Sequence, residues 1–132
     1  MNLTRENQSN STCTHDRPGL PCFIPAQRVL NLISKKWCIQ LIHILRDGKS
    51  KRYIDLKEML HRGWKKDKIS DSTLSTRLLE LTKEGILIRE VYPEIPPKVD
   101  YRLSDKGESL SKALKHLIDW TVETCHRDIS ND

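Results

Sequence analysis

The feature that most constrains this chain is a change in the spacing of apolar residues at Gly85, where a helical period gives way to a strand-like one. Before it, Leu74, Leu78 and Leu81 recur at steps of four and three residues, which predicts a helix over residues 70–84 with one buried stripe. Glycine is favoured just past a helix end, because it adopts the left-handed conformation without steric cost. The spacing therefore predicts that this helix ends at Gly85.

A β-hairpin is predicted directly after this helix. Residues 86–92 are rich in β-branched and aromatic side chains, and residues 99–103 alternate between apolar and polar ones. Between them, three prolines within residues 93–97 exclude a regular helix or a central strand. A lone hairpin is not stable, so this one must pack on helices.

Four further helices are predicted from apolar residues at helical spacing. The second of them is apolar almost all round, which indicates a central position, and Ser34 is its predicted N-cap. The chain is therefore predicted to be mainly α, with a small β-hairpin. The four helices are predicted over residues 25–33, 35–46, 52–60 and 105–127.

The length of 132 residues is that of one domain. Residues 1–20 are polar and without periodicity, so we expect a flexible tail there and the folded domain over residues 21–128. No run approaches the roughly 18 apolar residues of a membrane span, and the N-terminus lacks the apolar stretch of a signal peptide. The sequence therefore predicts a cytoplasmic protein without a membrane partner.

Positive charge is concentrated in the middle of the chain. The net charge is +5, but residues 35–68 alone contain eleven Lys and Arg against four acidic residues, and the rest of the chain is slightly negative. A basic segment on a nearly neutral body is the pattern expected for a polyanion partner. The alternative is a solvated lysine-rich surface.

The predicted helix 70–84 carries hydroxyl side chains opposite its leucines. At about 100° per residue, Ser72 and Thr76 lie there, with hydroxyl neighbours on both flanks. Hydroxyl residues are poor helix formers, and they hydrogen-bond to phosphates and base edges of double-stranded DNA. The alternative is an ordinary solvent-exposed face. The predicted DNA-binding residues of this helix are Ser70, Ser72, Thr73, Ser75, Thr76 and Arg77.

The proline-rich part of the hairpin, residues 92–99, is the candidate wing and a second candidate contact. Proline lowers the entropy lost on docking, and Lys98 and Arg102 are predicted to approach phosphates or the minor groove. The alternative is a hairpin that proline merely stiffens. Helices followed by such a hairpin are typical of a winged helix-turn-helix, with helix 70–84 in the major groove and the hairpin as the wing.

Of the four cysteines, Cys22 has the best case for a function. It follows Pro21 and precedes the first predicted helix, and a thiol near a helix N-terminus is more reactive. Our hypothesis is that its oxidation changes DNA affinity; the alternative is a small buried hydrophobe. The spacing of Cys13, His15 and Cys22 matches no zinc pattern. No catalytic arrangement is found, so we predict no metal, no cofactor and no enzymatic activity.

The last predicted helix is too broadly apolar for the surface of a small monomer. We expect it and the first helix to pair with a second copy, which sets two recognition helices about one turn of DNA apart. The alternative is that the last helix closes the core of a monomer. The predicted interface residues are Val29, Leu110, Leu114, Leu117, Ile118 and Val122.

Over residues 21–122 the sequence resembles the HxlR-type transcriptional regulators. Residues 29–37, VLNLISKKW, are similar to the family's "LIGGKW" segment. Residues 91–107, VYPEIPPKVDYRLSDKG, are close to its wing, "VYPEVPPRVEYSLTxxG", and a three-proline tip at this spacing is rare. Cys22 stands where the family usually has a cysteine, and Trp120 falls where members often end with a tryptophan.

The resemblance implies a homodimeric, sequence-specific DNA-binding regulator, either a repressor or an activator. Its fold would be a winged helix-turn-helix with extra N- and C-terminal dimerisation helices, and some members respond to oxidants through the N-terminal cysteine. The loop between Leu60 and Ile69 is longer and more basic than is usual in the family. The alternative, from another functional class, is a winged-helix protein–protein module within a larger transcription or RNA assembly. Leu79 and Trp64, if exposed, would suit such a module as apolar contact residues.

Overall fold

The computed structural model describes the backbone of residues 23–131 and the side chains of residues 23–125. The chain divides into two compact units, Met1–Lys36 and Trp37–Asp132. The expected tail, residues 1–20, lies before the first described residue. No prediction about it is therefore tested by the structure.

The described chain is mainly α-helical with a small antiparallel sheet, as the sequence predicts. A single 3-10 turn, Leu45–Asp47, follows the second helix. No helix among the described residues combines the length and the apolar character that a bilayer crossing needs. The first unit contributes α1 (Phe23–Ile33), and the second contributes α2 (Cys38–Ile44), β1 (Lys51–Arg52), α3 (Tyr53–Gly63), α4 (Asp71–Lys83), β2 (Leu87–Tyr92), β3 (Lys98–Leu103) and α5 (Asp105–Asn131).

The sheet has three antiparallel strands in the order β1-β3-β2. The predicted hairpin is confirmed, with Leu87 opposite Leu103 at its base and Tyr92 opposite Lys98 at its tip. Strand β1 was not predicted, because two residues show no period, and Arg52 belongs to this strand instead of the following helix. The pairing of β1 with β3 attaches the hairpin to the start of α3.

Helix α2 begins three residues later than predicted, at Cys38. Trp37 has a φ of 83°, a left-handed conformation that is rare for a bulky residue and interrupts a right-handed helix. The predicted N-cap, Ser34, is therefore wrong: its Oγ donates to the carbonyl oxygen of Asn31 at 3.0 Å. Trp37 is only 4% exposed, so burial of a large apolar side chain offsets the strain of its backbone.

Aliphatic side chains from α2 to α5 form the core of the second unit. The stripe predicted on α4 is confirmed, since Leu74, Leu78 and Leu81 are at most 1% exposed. Each fully buried side chain of this size contributes roughly 1.5–3 kcal/mol relative to exposure, so α4 is held firmly on this face. The other large aliphatic side chains that are fully buried are Leu41, Ile42, Leu45, Leu56, Leu60 and Ile86, and Cys38 is also fully buried.

Hydrogen bonds join the start of α5 to the end of α4. The backbone amide of Ser104 donates to the carbonyl oxygen of Ile86 at 3.0 Å. The hydroxyl group of Ser104 donates to the carbonyl oxygen of Gly85. Nζ of Lys106 donates to the carbonyl oxygen of Glu84 at 2.8 Å. Gly85 has a φ of 79° and closes α4 as predicted. These bonds satisfy carbonyl groups that lack partners at the C-terminal end of a helix.

Replacing Gly107 with alanine should destabilise the protein. A Cβ there would overlap the carbonyl oxygen of Ile86 and lie 3.0 Å from Cδ2 of Leu103, so the α4–α5 joint would have to shift. We expect the free energy of unfolding to fall by about 1–3 kcal/mol, measured by urea unfolding at one protein concentration. Gly63→Ala is the control, because its Cβ would meet nothing within 4 Å. Equal stability of Gly107→Ala and the wild type would contradict this close packing.

Candidate nucleic-acid interface

A cluster of hydroxyl groups surrounds the start of α4. Ser70 is the N-cap, and its Oγ accepts a hydrogen bond from the backbone amide of Thr73 at 3.2 Å. The same Oγ donates to Oγ1 of Thr73 at 2.9 Å. The cap satisfies one of the four amides that have no partner in the first turn. The remaining amides and the helix dipole favour an anion beyond this end of α4.

Three hydroxyl residues of α4 are exposed: Ser72 and Thr76 lie opposite the buried leucines, and Ser75 lies on the flank. Oγ1 of Thr76 donates to the carbonyl oxygen of Ser72 at 2.8 Å, which leaves its methyl group and acceptor lone pairs for an outside partner. Thr73, in contrast, is half-buried and bonded to the cap. The structure therefore brings together three of the predicted hydroxyl residues on the exposed surface of α4.

A carboxylate in the first turn of α4 ties this helix to α3. Oδ1 of Asp71 accepts hydrogen bonds from Oη of Tyr53 at 2.6 Å and from Nζ of Lys57 at 2.8 Å. The bond from Lys57, followed by that from Tyr53, lowers the pKa of Asp71. Burial, followed by the hydrogen bond to Asp71, raises the pKa of Tyr53. At neutral pH an ionised carboxylate therefore holds the starts of the two helices together.

The structure places Arg77 on the flank of α4. Its Nη1 donates to Oε1 of Glu80 at 3.0 Å, and the two side chains are 20% and 26% exposed. The guanidinium has further N–H donors for an outside partner, but the ion pair with Glu80 restricts where they can point. The sequence signal for the pair was an acidic residue three positions further along the helix.

Lys98 and Arg102, the predicted basic residues of the wing, are engaged by neighbours on the sheet. Nζ of Lys98 lies 4.9 Å from the ring centre of Tyr92 and 3.7 Å from Oδ2 of Asp100. Nε of Arg102 donates to Oε1 of Glu90 at 3.0 Å. Asp100 is on the same strand as Lys98, whereas Tyr92 and Glu90 are cross-strand partners that appear only once the register of the hairpin is known.

The tip of the hairpin itself, residues 93–97, contains no basic residue. Glu94 is its one charged side chain, and Ile95 is fully exposed. Three prolines restrict its backbone. The tip is therefore a stiff, apolar and weakly acidic surface.

Helix α5 exposes a row of apolar side chains. Of the predicted interface residues, Leu114 is 6% exposed and belongs to the core, whereas Leu110 is half-buried. Val29 on α1 is also half-buried. Up to residue 125, where the described side chains end, the large apolar residues that α5 exposes are Leu117, Ile118, Trp120 and Val122.

Two of the four cysteines are among the described residues. Cys38 is fully buried, and Cys125 is exposed; both are free thiols. Cys22 lies just before the described residues, so its predicted role stays a prediction.

Comparison with known sequences identifies related regulators. A family model described as HxlR-like helix-turn-helix matches residues 32–129. The HTH-type transcriptional regulator BH0655 of Halalkalibacterium halodurans is 35% identical over 99 residues, which cover 75% of this chain and 82% of that protein. The HTH-type transcriptional regulator YodB of Bacillus subtilis is 33% identical over 99 residues, with the same coverage of 75% and 82%.

Solved structures of transcriptional regulators share this fold. The reduced form of YodB from B. subtilis matches with a TM-score of 0.66 and 32% identity, over 77% of this chain and 93% of that one. The redox regulator HypR in its oxidized form matches with a TM-score of 0.62 and 30% identity, over 75% and 95%. A MarR-family regulator from Enterococcus faecalis V583 matches with a TM-score of 0.71 and 29% identity, over 86% and 96%.

Proposed function

The chain belongs to the HxlR-like helix-turn-helix family, and we propose that it is a sequence-specific DNA-binding transcriptional regulator that acts as a homodimer. Its relatives are transcriptional regulators and not enzymes. In this proposal α4 enters the major groove, and the β2–β3 hairpin lies as a wing on the flanking backbone or minor groove. The proposed contacts are Ser70, Ser72, Thr73, Ser75, Thr76 and Arg77 on the helix side, and Lys98 and Arg102 on the hairpin.

The two-sided character of α4 is the observation that carries this proposal. Its leucines are buried in the core, whereas Ser72, Ser75 and Thr76 face outward. Small side chains allow the helix to approach base edges closely, and hydroxyl groups both donate and accept hydrogen bonds there. Because α4 is already fixed, docking costs little conformational entropy.

The exposed row on α5 supports the homodimer. Leu117, Ile118 and Val122 recur at helical spacing on a surface that water covers in the single chain. Exposed apolar patches of this kind mark interaction sites. Two-fold pairing through α5 would cover the row and present two copies of α4 to two half-sites of DNA.

A protein–protein module within a larger assembly is the competing function. Leu79 is 56% exposed, as that function requires. Trp64 was expected to be exposed but is half-buried, so less of its side chain is available to a protein partner. The dependence of binding on salt separates the two functions. A DNA complex with several phosphate contacts weakens steeply as salt rises, because counterions are released on binding, whereas a protein complex is less sensitive.

A thiol switch at Cys22 is a further part of the proposed function. HypR is described as a redox regulator, and Cys22 precedes α1 directly. Peroxide oxidises a thiolate to a sulfenic acid, which condenses with a second thiol to form a disulfide and water. Cys38 is fully buried, so the proposed partner is another thiol across the dimer, and exposed Cys125 is one candidate.

Ser72→Asp should separate DNA binding from folding. A carboxylate in the first turn of a helix is favourable to the helix, so the free energy of unfolding should stay equal or rise slightly. The same charge faces the phosphates of DNA and repels them. We expect affinity for a duplex selected from random DNA to fall at least about tenfold, or ~1.4 kcal/mol, measured by mobility shift.

The matched control for this change is Ser109→Asp, an exposed serine near the start of α5, which should leave affinity unchanged. The selected duplex should contain a palindrome, because a symmetric dimer reads two half-sites. Wild-type affinity in Ser72→Asp would contradict the placement of α4 in the groove.

Leu117→Glu should convert a dimer into a monomer, because it buries a charge in the proposed interface. Light scattering should give twice 15.4 kDa for the wild type and 15.4 kDa for the variant. His116→Glu changes an exposed residue on another side of α5 and should leave the dimer intact. A wild-type mass of 15.4 kDa in dilute solution would remove the dimer from the proposal.

Peroxide should change the DNA affinity of the wild type, and Cys22→Ser should abolish this response. The readout is a mobility shift with and without peroxide, followed by dithiothreitol, which should restore the original affinity because a disulfide is reducible. Cys125→Ser identifies the partner: it abolishes the response only if Cys125 forms the disulfide. An unchanged peroxide response in Cys22→Ser would exclude this cysteine as the sensor.

A further inference from the structure

The turn between α3 and α4, residues 64–69, carries a cluster of exposed lysines. We name it the basic turn. Its residues Lys65, Lys66 and Lys68 are all exposed, and Asp67 is the one acidic residue among them. Like charges this close repel each other in the free protein, so a nearby polyanion would stabilise the arrangement.

The basic turn is anchored at both ends. The backbone amide of Trp64 donates to the carbonyl oxygen of Leu60 at 3.0 Å, at the end of α3. Nε2 of His61 lies 3.3 Å from the carbonyl oxygen of Ile69, and Ile69 is 3% exposed. The lysines therefore project from a short segment with defined ends, and they are not spread along a free tail.

The anchored end of the turn leads directly into the N-cap of α4. Lys68 is two residues before Ser70, so their Cα atoms are at most about 7 Å apart. The major groove is about 12 Å wide, and phosphate backbones border it on both sides. A helix whose N-terminal turn lies in that groove therefore brings the basic turn next to a bordering phosphate backbone.

The hairpin has a lower density of exposed positive charge, with Arg89 as its one exposed basic residue. Its tip contains Glu94 and no basic residue, and Lys98 lies between the ring of Tyr92 and the carboxylate of Asp100. Arg102 is paired with Glu90. Of these two parts of the interface, the basic turn has the greater density of exposed cations.

We propose that the basic turn is a phosphate-binding element, in which Lys65, Lys66 and Lys68 contact the DNA backbone beside the groove that α4 enters. This inference rests on the proposed function, since it requires α4 to dock on DNA. The turn positions the protein on the duplex without reading its sequence, because phosphate contacts carry no base information. The hairpin tip is apolar and weakly acidic, so in this proposal it contacts DNA through its stiff shape and adds no positive charge to the interface.

The test compares two variants that remove the same charge from different places. Lys66→Gln/Lys68→Gln alters the basic turn, and Lys112→Gln/Lys115→Gln alters exposed residues of α5 that line its groove against α2. The probe is a duplex of random sequence about three helical turns long. Affinity is measured from about 50 to 200 mM salt, and equal unfolding midpoints in urea show that both variants fold.

We expect the slope of log affinity against log salt to become shallower by about 0.9 for each phosphate that a removed lysine no longer neutralises, or by roughly 1.8 per bound protomer. Adding Lys65→Gln should make the slope shallower by about 0.9 more. The α5 variant should keep the wild-type slope. The base preference in a selected duplex should remain that of the wild type in both variants.

The outcomes distinguish this inference from the function on which it rests. If the wild type binds no duplex at low salt, the proposed function fails and the inference fails with it. If the wild type binds but the two variants show the same slope, DNA binding stands and the basic turn is only a solvated surface. A changed base preference in the turn variant would also overturn the inference, because it would assign base reading to the turn.

Discussion

The burial of one face of α4 is the constraint on which the rest of the structure depends. Leu74, Leu78 and Leu81 pack into the core, and this packing fixes the rotation of the helix about its axis. The hydroxyl residues between them then have only the outer side available. The same leucines therefore determine both the stability of the domain and the surface that it presents to a partner.

Local electrostatics refine this placement. Asp71, held by Tyr53 and Lys57, fixes the start of α4 against α3, while ion pairs on the sheet engage Lys98 and Arg102 of the hairpin. Exposed pairs of this kind contribute little to stability, but they decide which cations remain available. In the proposed complex the roles are therefore divided: α4 reads bases, the basic turn supplies charge and the hairpin supplies a stiff edge.

Periodicity accounts for the part of the fold that sequence alone could predict. The stripe of α4, the stop at Gly85 and the two long strands are local patterns of burial, and the structure confirms them. Strand β1, the left-handed Trp37 and the contacts of Asp71 were missed, because each depends on residues distant in sequence. At the candidate site, exposure of the hydroxyl residues followed from helix geometry, whereas the pairing of Lys98 and Arg102 required the register of the hairpin.

The hydrogen-bonded joint between α4 and α5 couples the orientations of the two helices. The carbonyl groups of residues 84–86, just past the end of α4, accept hydrogen bonds from Ser104 and Lys106 at the start of α5, and the backbone at Gly107 packs so closely that an added Cβ would overlap the carbonyl oxygen of Ile86. From there α5 extends for 27 residues, or about 40 Å. In the proposed dimer, two copies would pair through this long helix, and a small change in the angle between the paired helices would change the distance between the two copies of α4. A signal that tilts one α5 against the other would then alter the fit of the proposed dimer to its DNA site without a change in the exposed face of α4.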